Sequence, residues 1–481
     1  MTAISNHPTA GAWDWQRIGL WALLLGAVCL WRGPDFVKGL RPVQIGPARI
    51  DLEVMCAQSV AALAEPSTAA GMTQFVILQK VVWSPAHPEA VDFFQEWSSA
   101  RFHFDGLPVY GPQDEGMKRY LGVARDPQIP FNEVNAHPPT AVLVALPLAR
   151  FDFPNACLVW NLFSLAALAV SIGLIVRQLD LRLSPWALLP FLTLALLCDP
   201  LQAQVFYAQF NLILLVLIVG AWAADRSGHP GWSGVLLGTA AVIKLYPGFL
   251  FLYFLLQRRW SALVMGALTV ALWTGLTAAV LGRESYADYV RLVLPHLGSD
   301  FRNSWPNLSL CGFWYKLFDG SATGRHAISL WPNPRAALVA SAASCLAVVV
   351  VYAVAVLRTR SLPERDRAFG LGVMAMLLVS PITWSHYLLL LLLPATLIWI
   401  SRRGVSGGHW SLCICLAPMW LHESYFWAIA THSPRDTWAT SHALPWQSLT
   451  WLSVHTYALL GLYVVGLRVA SASHAEKLPE T

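Results

Sequence analysis

Charge is scarce in this sequence. Of its 481 residues 12% are Asp, Glu, Lys or Arg and 56% are apolar, whereas a soluble domain carries about 25% charged residues. No water-soluble fold hides that much apolar surface, so lipid is the solvent for most of the chain. Paired cysteine motifs are also missing: Cys29, Cys56, Cys157, Cys198, Cys311, Cys345, Cys413 and Cys415 are scattered, mostly in apolar runs, with no CxxC pair. That excludes a zinc ribbon or a disulfide framework and leaves small buried hydrophobes. There is no acidic cluster suited to a divalent cation, so no metal and no cofactor is expected. The net charge of +5 has no nucleic-acid motif beside it, and its cations sit in short clusters between apolar spans. No internal repeat supports an inverted-repeat transporter. The first apolar run, Ile18 to Trp31, lacks a small-x-small cleavage site and reads as a retained anchor, extended by Trp13 and Trp15.

What is present is a succession of apolar runs with the length and composition of transmembrane helices. The candidate spans are 13–32, 153–176, 184–198, 200–224, 231–243, 245–257, 261–281, 335–357, 367–380, 384–401, 410–429 and 448–467, about twelve in all. This predicts an all-α, polytopic transmembrane bundle forming a single domain over 1–481. With the N-terminus inside, the cations Arg177 and Arg182, Arg226, Arg258 and Arg259, Arg358 to Arg367, Arg402 and Arg403, and Arg468 and Lys477 all fall on the cytoplasmic side. Two long polar segments, 33–138 and 283–333, then face outward together. Interfacial helices are expected within and beside them, at Met72–Trp83, Pro139–Leu148 and Tyr286–Leu294, and disorder is expected in the tail 470–481.

The residues that could carry chemistry lie in or beside those two segments. Asp92, in Asp92-Phe93-Phe94-Gln95-Glu96-Trp97, is placed to be a desolvated base; the same pattern also fits an acid on an interfacial helix anchored by the two Phe. Gln209 and Asn211, in Tyr207-Ala208-Gln209-Phe210-Asn211, are amides inside an apolar span, which need either a neighbouring helix or a bound polar ligand. Lys244 stands alone at a break between two short apolar runs, where a cation suits an anionic head group; a lysine snorkelling to the interface is the other reading. His386, in Ser380-Pro381-Ile382-Thr383-Trp384-Ser385-His386, can donate to a phosphate or shuttle a proton, or be an ordinary belt residue. Asn307-Leu308-Ser309 lies in the second polar segment and matches a glycosylation sequon.

The order and spacing of these pieces resemble the family 87 glycosyltransferases, membrane enzymes of the GT-C class that use polyprenyl-phosphate sugars. The resemblance rests on Asp92-Phe93 with Gly106 and Tyr110, His137-Pro138-Pro139 leading to Pro147 and Trp160, and Gln209-Phe210-Asn211. It continues through Ile243-Lys244-Leu245-Tyr246-Pro247, Arg258-Arg259-Trp260, Asn307-Leu308-Ser309 and Ser380 to His386. The sequence departs from the family pattern at Tyr387, where a second histidine is frequent, and at His137, where an aromatic often precedes the Pro pair. The resemblance implies a GT-C bundle in a bacterial inner membrane with its active site on the outer face. It implies transfer of a hexose, mannose first, from a polyprenyl-phosphate donor to a lipid-linked or cell-envelope glycan, with inversion. Asp92 would be the general base and His386 the second catalytic residue. Lys244, Gln209, Asn211, Asn307, Ser309 and Tyr110 would bind substrate. Membrane lipids are the expected surroundings and nucleic acid is not a partner. The alternatives are arabinofuranosyl or other GT-C transfer, and a lipid-linked-glycan transporter, which would need polar residues along both halves of the bundle.

Overall fold

The computed structural model describes residues 15–42, 91–122, 133–296, 301–319, 327–402, 409–432 and 443–475. Among these the regular elements are all helical. In chain order, α1 (Trp15–Leu40) is followed in the first polar segment by α2 (Val91–Phe104) and α3 (Pro139–Ala145). Then come α4 (Phe153–Gln178), α5 (Leu188–Leu197), α6 (Asp199–Phe206), α7 (Asn211–Arg226), α8 (Pro230–Ile243), α9 (Phe251–Leu256) and α10 (Trp260–Leu281). The second polar segment holds α11 (Leu310–Phe318); α12 (Pro334–Leu357), α13 (Leu362–Val379), α14 (Leu392–Ser401), α15 (Trp410–Met419), α16 (Glu423–Thr431) and α17 (Val454–Ala475) follow.

Among the described residues five helical stretches are long and apolar enough to cross a membrane, namely α1, α4, α10, α12 and Pro445–Val469, and a sixth arises if α5 and α6, bent by 63°, count together. Several expected continuous spans are divided. The run 200–224 breaks at Tyr207–Phe210, where Ala208 takes a left-handed φ of 47°. The run 410–429 divides at Trp420–His422, between α15 and α16. The run 245–257 opens as a tight turn around Pro247 before α9. Pro139–Leu148 is helical as α3, Tyr286–Leu294 is largely helical as Glu284–Asp288 and Tyr289–Val293, and Met72–Trp83 lies outside the described residues. In the C-terminal segment α17 runs on to Ala475.

Burial separates lipid-facing from central helices. Leu23 and Leu30 on α1, Leu272 on α10 and Val339 on α12 are more than half exposed, as expected of side chains whose neighbours are acyl chains. By contrast α13 is buried without interruption from Ala368 to Leu378 and forms the axis of the bundle. At the Arg-rich end, Arg226 pairs with Asp366, which also accepts from Trp222 Nε1 at 2.9 Å, and Arg259 lies 3.5 Å from Asp225. These contacts gather α7, α10 and α13 at one end. From there α7, 16 residues long, and α8, 14 residues long, each reach roughly 21–24 Å toward the other end at 1.5 Å per residue. Asn211 and Lys244 thereby come at the far ends of these two helices.

That placement depends on close helix contact. A Cβ built on Gly234 of α8 would stand 2.0 Å from the carbonyl oxygen of Ala262 on α10, and one on Gly238 2.8 Å from that of Gly266. Small residues four apart on both helices let the backbones touch, the usual way membrane helices associate. The second polar segment is fastened separately. The Asn307 amide donates to the carbonyls of Pro381 (3.0 Å) and Arg302 (3.3 Å), and its oxygen accepts from the backbone N–H of Thr383 and Ser309, each at 3.1 Å. Ser309 Oγ donates to the Pro381 carbonyl at 3.2 Å and caps α11 by accepting from Gly312 N at 2.9 Å.

Two stability predictions follow from these contacts. Gly234→Ala overpacks α8 against a backbone that cannot yield and should cost about 1–3 kcal/mol, lowering the melting temperature in detergent. Gly173→Ala, where nothing lies within 4 Å, is the neutral control. Asn307→Ala strands three backbone groups in a buried turn, Arg302 O, Ser309 N and Thr383 N, and should cost more than about 2 kcal/mol, read in the same melt.

Candidate functional site

The site begins with a forced turn. Between α6 and α7 the chain reverses through Tyr207–Phe210 with Ala208 in the left-handed region, a conformation that survives only where its surroundings fix it. Trp160 Nε1 on α4 donates to the Ala208 carbonyl at 2.8 Å, and the Gln204 side-chain amide donates to the Gln209 carbonyl. Trp160 also packs on Phe210, with centroids 4.7 Å apart, and stacks on Phe93 at 5.4 Å. Phe93 N donates to the Tyr207 carbonyl at 3.3 Å, which joins the start of α2 to the same turn.

The turn presents Gln209 to two charges at once. Its Nε2 donates to Asp92 Oδ2, while its Oε1 accepts from Lys244 Nζ at 2.7 Å. Lys244 is the extended residue just past the end of α8 and is 4% exposed. Its ammonium also lies 4.9 Å from the Tyr387 ring centroid, and Tyr387 stacks on Tyr246 at 5.1 Å. An ammonium has three donors; here one meets an amide and a π face supplies the remaining stabilisation. Among the described residues no carboxylate is within ion-pair distance of this buried ammonium, whose one hydrogen bond goes to the Gln209 amide.

His386 sits close by, in the tight helical turn Ser385–Leu391 that precedes α14. It is 4% exposed, its Nε2 is buried without a hydrogen-bond partner, and its ring contacts Tyr207 and Tyr387 at 5.9 and 5.0 Å. Asp92 is partly buried at the head of α2. Burial pushes its carboxyl up from the usual carboxylate range, while His137, Lys244 and the Gln209 amide pull it back down. A carboxylate, a buried ammonium and an imidazole with one unpartnered nitrogen thus lie close together.

Asp92, Gln209, Lys244 and His386 are thus brought together. Asn211 stands one layer behind: it donates to Gln204 Oε1 at 3.2 Å and accepts from Tyr246 OH at 3.0 Å, so it braces two residues beside the cluster. Tyr110 donates to the His137 carbonyl at 2.7 Å. Asn307 and Ser309 do not join the cluster; all four hydrogen-bonding positions of the Asn307 amide are committed to the turn described above. The structure adds Glu96, His137, Tyr246 and Tyr387. Glu96 was detectable from its place four residues after Asp92, which puts the two on one helix face. Among the described residues no group of three His, Cys, Asp or Glu could hold a metal ion.

Comparison with known proteins bears directly on this arrangement. The sequence is similar to a polyprenol-phosphate-mannose-dependent alpha-(1-2)-phosphatidylinositol mannoside mannosyltransferase of Mycobacterium tuberculosis, 27% identical over 402 residues covering 79% of this chain and 85% of that protein. A polyprenol-phosphate-mannose-dependent alpha-(1-2)-phosphatidylinositol pentamannoside mannosyltransferase of Mycolicibacterium smegmatis is 25% identical over 317 residues, 63% of this chain and 70% of its own. An alpha-(1->3)-arabinofuranosyltransferase of Corynebacterium glutamicum is 29% identical over 225 residues, 44% of this chain and 48% of its own. Residues 135–381, just over half of the chain and including Gln209, Lys244 and all of α13, match the model of glycosyltransferase family 87, and the chain belongs to that family.

Proposed function

We propose that this membrane glycosyltransferase transfers mannose from a polyprenyl-phosphate donor to a lipid-linked or cell-envelope glycan acceptor, with inversion, using Asp92 as general base. The observation that carries the reading is the Asp92–Gln209–Lys244 chain, in which a carboxylate and a buried ammonium are held apart by one amide. In the reaction the acceptor oxygen forms a bond to the anomeric carbon and its proton passes to the Asp92 carboxylate. The bond from the anomeric carbon to the phosphate oxygen breaks, and its electron pair stays on the phosphate. Lys244 and His386 stabilise that growing negative charge, since preorganised donors in a water-poor site act most strongly where charge develops. Gln209 orients base and cation, and Asn211 and Tyr110 support the walls.

Mannose is supported by the names of the mannosyltransferases this chain resembles across most of its length. Arabinofuranosyl transfer is the second reading, supported by the arabinofuranosyltransferase related over 44% of the chain. The orientation proposed is a bacterial inner membrane with the Arg-rich end cytoplasmic, so that the site opens outward and the lipid donor enters from the outer leaflet. The shorter apolar helices, among them Pro230–Ile243, Tyr246–Leu256, Ser385–Ser401 and Trp410–Met419, complete a bundle of about twelve crossings in this reading.

The test is transfer of radiolabelled mannose from synthetic polyprenyl-phosphate mannose to a native lipid extract by the purified protein in detergent. Asp92→Asn should lower the rate by roughly 10²–10⁴-fold without loss of donor binding or folding; transfer that survives would sink the base assignment. If wild type transfers arabinofuranose and not mannose, the second reading holds. Because burial raises the Asp92 carboxyl and the base works only when ionised, kcat/KM should fall on acidification through a limb lying above the ordinary carboxylate range. A flat profile down to that range contradicts the assignment. Lys244→Met should reduce kcat/KM by about 10²–10³-fold; an unchanged value removes Lys244 from the phosphate site.

A further inference from the structure

One titratable pair beside the site has no part in the reading above. Glu96 lies one helical turn after Asp92, is 0% exposed, and pairs through Oε1 with His137 Nδ1; its Oε2 is buried without a hydrogen-bond partner. Carboxylates four apart on a helix are neighbours that repel, and a buried acid without a counter-charge is costly. His137 is held in place from several sides. Asn135 donates to Gln95 O and Ser99 Oγ, each at 3.2 Å, Ala136 N donates to Gln95 Oε1 at 3.1 Å, and His137 N donates to Asn135 Oδ1 at 2.9 Å. Tyr110 OH fixes the His137 carbonyl, and the imidazole meets the edge of Phe210 with centroids 5.9 Å apart. The whole 135–137 segment is thus clamped to α2, and the clamp presents one imidazole to two acids.

We propose that His137, seated on Glu96, is a positioning residue that carries the second positive charge of the site and so keeps Asp92 available as a proton acceptor. The charge count explains the need. Asp92 and Glu96 together present two negative charges to the single ammonium of Lys244. With a protonated His137 the four groups balance, and the remaining polarity for the donor phosphate comes from Lys244 donors and His386. His137, Lys244 and Glu96 are the charges that act on Asp92, and Lys244 and His137 both act on His386. Among the described residues the other titratable groups facing the cluster are phenols, Tyr110 with its neighbours Tyr286 and Tyr289, and Tyr207, Tyr246 and Tyr387 beside His386 and Lys244; Asp288 lies near Tyr110.

This inference rests on the Asp92 base reading, and a double substitution separates the two. His137→Phe, and His137→Gln as a polar variant that keeps bulk without charge, should move the acid limb of kcat/KM for mannosyl transfer up by about one to two pH units. At a pH on the wild-type limb that is a loss of tenfold or more. Glu96→Gln combined with His137→Phe removes both charges of the pair and should return the limb to within about half a unit of wild type. A purely structural role predicts the reverse, a double variant at least as impaired as the single one. The proposal is overturned if His137→Phe and His137→Gln keep the wild-type profile, or if the double variant is no better than His137→Phe. Asp92→Asn in the same assay reports on the underlying reading: retained transfer there refutes the base, whereas its loss together with an unchanged His137→Gln profile refutes only the role given to His137.

Discussion

The architecture turns on keeping an ammonium and a carboxylate close together inside an apolar bundle without letting them meet. Lys244 is buried at the end of α8, and its nearest anionic neighbour, Asp92, is reached only through Gln209. Burying such charges is expensive unless geometry and hydrogen bonds compensate. The supporting structure is accordingly concentrated here: the left-handed Ala208 turn, the Trp160 hydrogen bond that holds it, the aromatic contacts among Phe93, Trp160 and Phe210, and the Tyr246–Tyr387 stack under the ammonium.

Helix length and helix contact set the depth of that arrangement. α7 and α8 are shorter than the membrane-spanning α4 and α10, and both start from the ion-paired Arg-rich end. Asn211 and Lys244, at their far ends, are buried within the bundle, where the dielectric is low and charge interactions are strong. The Gly234 and Gly238 contacts with α10 hold α8 at the position that aims Lys244 at Gln209. The second polar segment contributes indirectly. Through Asn307 it pins the Pro381–Thr383 turn, and that turn leads straight into the tight helical run that carries His386.

Composition and charge pattern made the all-helical membrane class legible, because the requirement for internally satisfied backbone in lipid leaves few options. Span boundaries were less legible where apolar composition continues across a break. Nothing in hydropathy separates 200–206 from 211–224, and the reversal at Ala208 depends on a distant tryptophan 48 residues away. The pairing of Asp92 with Gln209 spans 117 positions and that of Gln209 with Lys244 spans 35, separations that a single sequence does not encode locally. Asn307 illustrates the opposite difficulty: an Asn that locks a turn and an Asn that binds sugar have the same local signature, and only its four filled hydrogen bonds reveal the first role. Glu96 was in plain view at helical spacing, but His137 becomes meaningful only once the 135–137 segment is seen folded onto α2.

The choice of an amide at position 209 has a physical logic of its own. A direct Lys244–Asp92 ion pair would satisfy both groups, and neither would then be free to take a proton or receive a phosphate. A shorter apolar residue would leave two buried charges unsatisfied, at several kcal/mol each. A glutamine resolves both problems because its two ends are chemically different: the N–H side faces the carboxylate and the carbonyl side faces the ammonium. The opposed charges fix the amide in that orientation, since flipping it would set like against like at both ends. One side chain thereby stabilises each charge with a single hydrogen bond and leaves the rest of its bonding capacity open toward the shared space. In the proposed reaction, that is the condition for Asp92 and Lys244 to act on the same substrate rather than on each other.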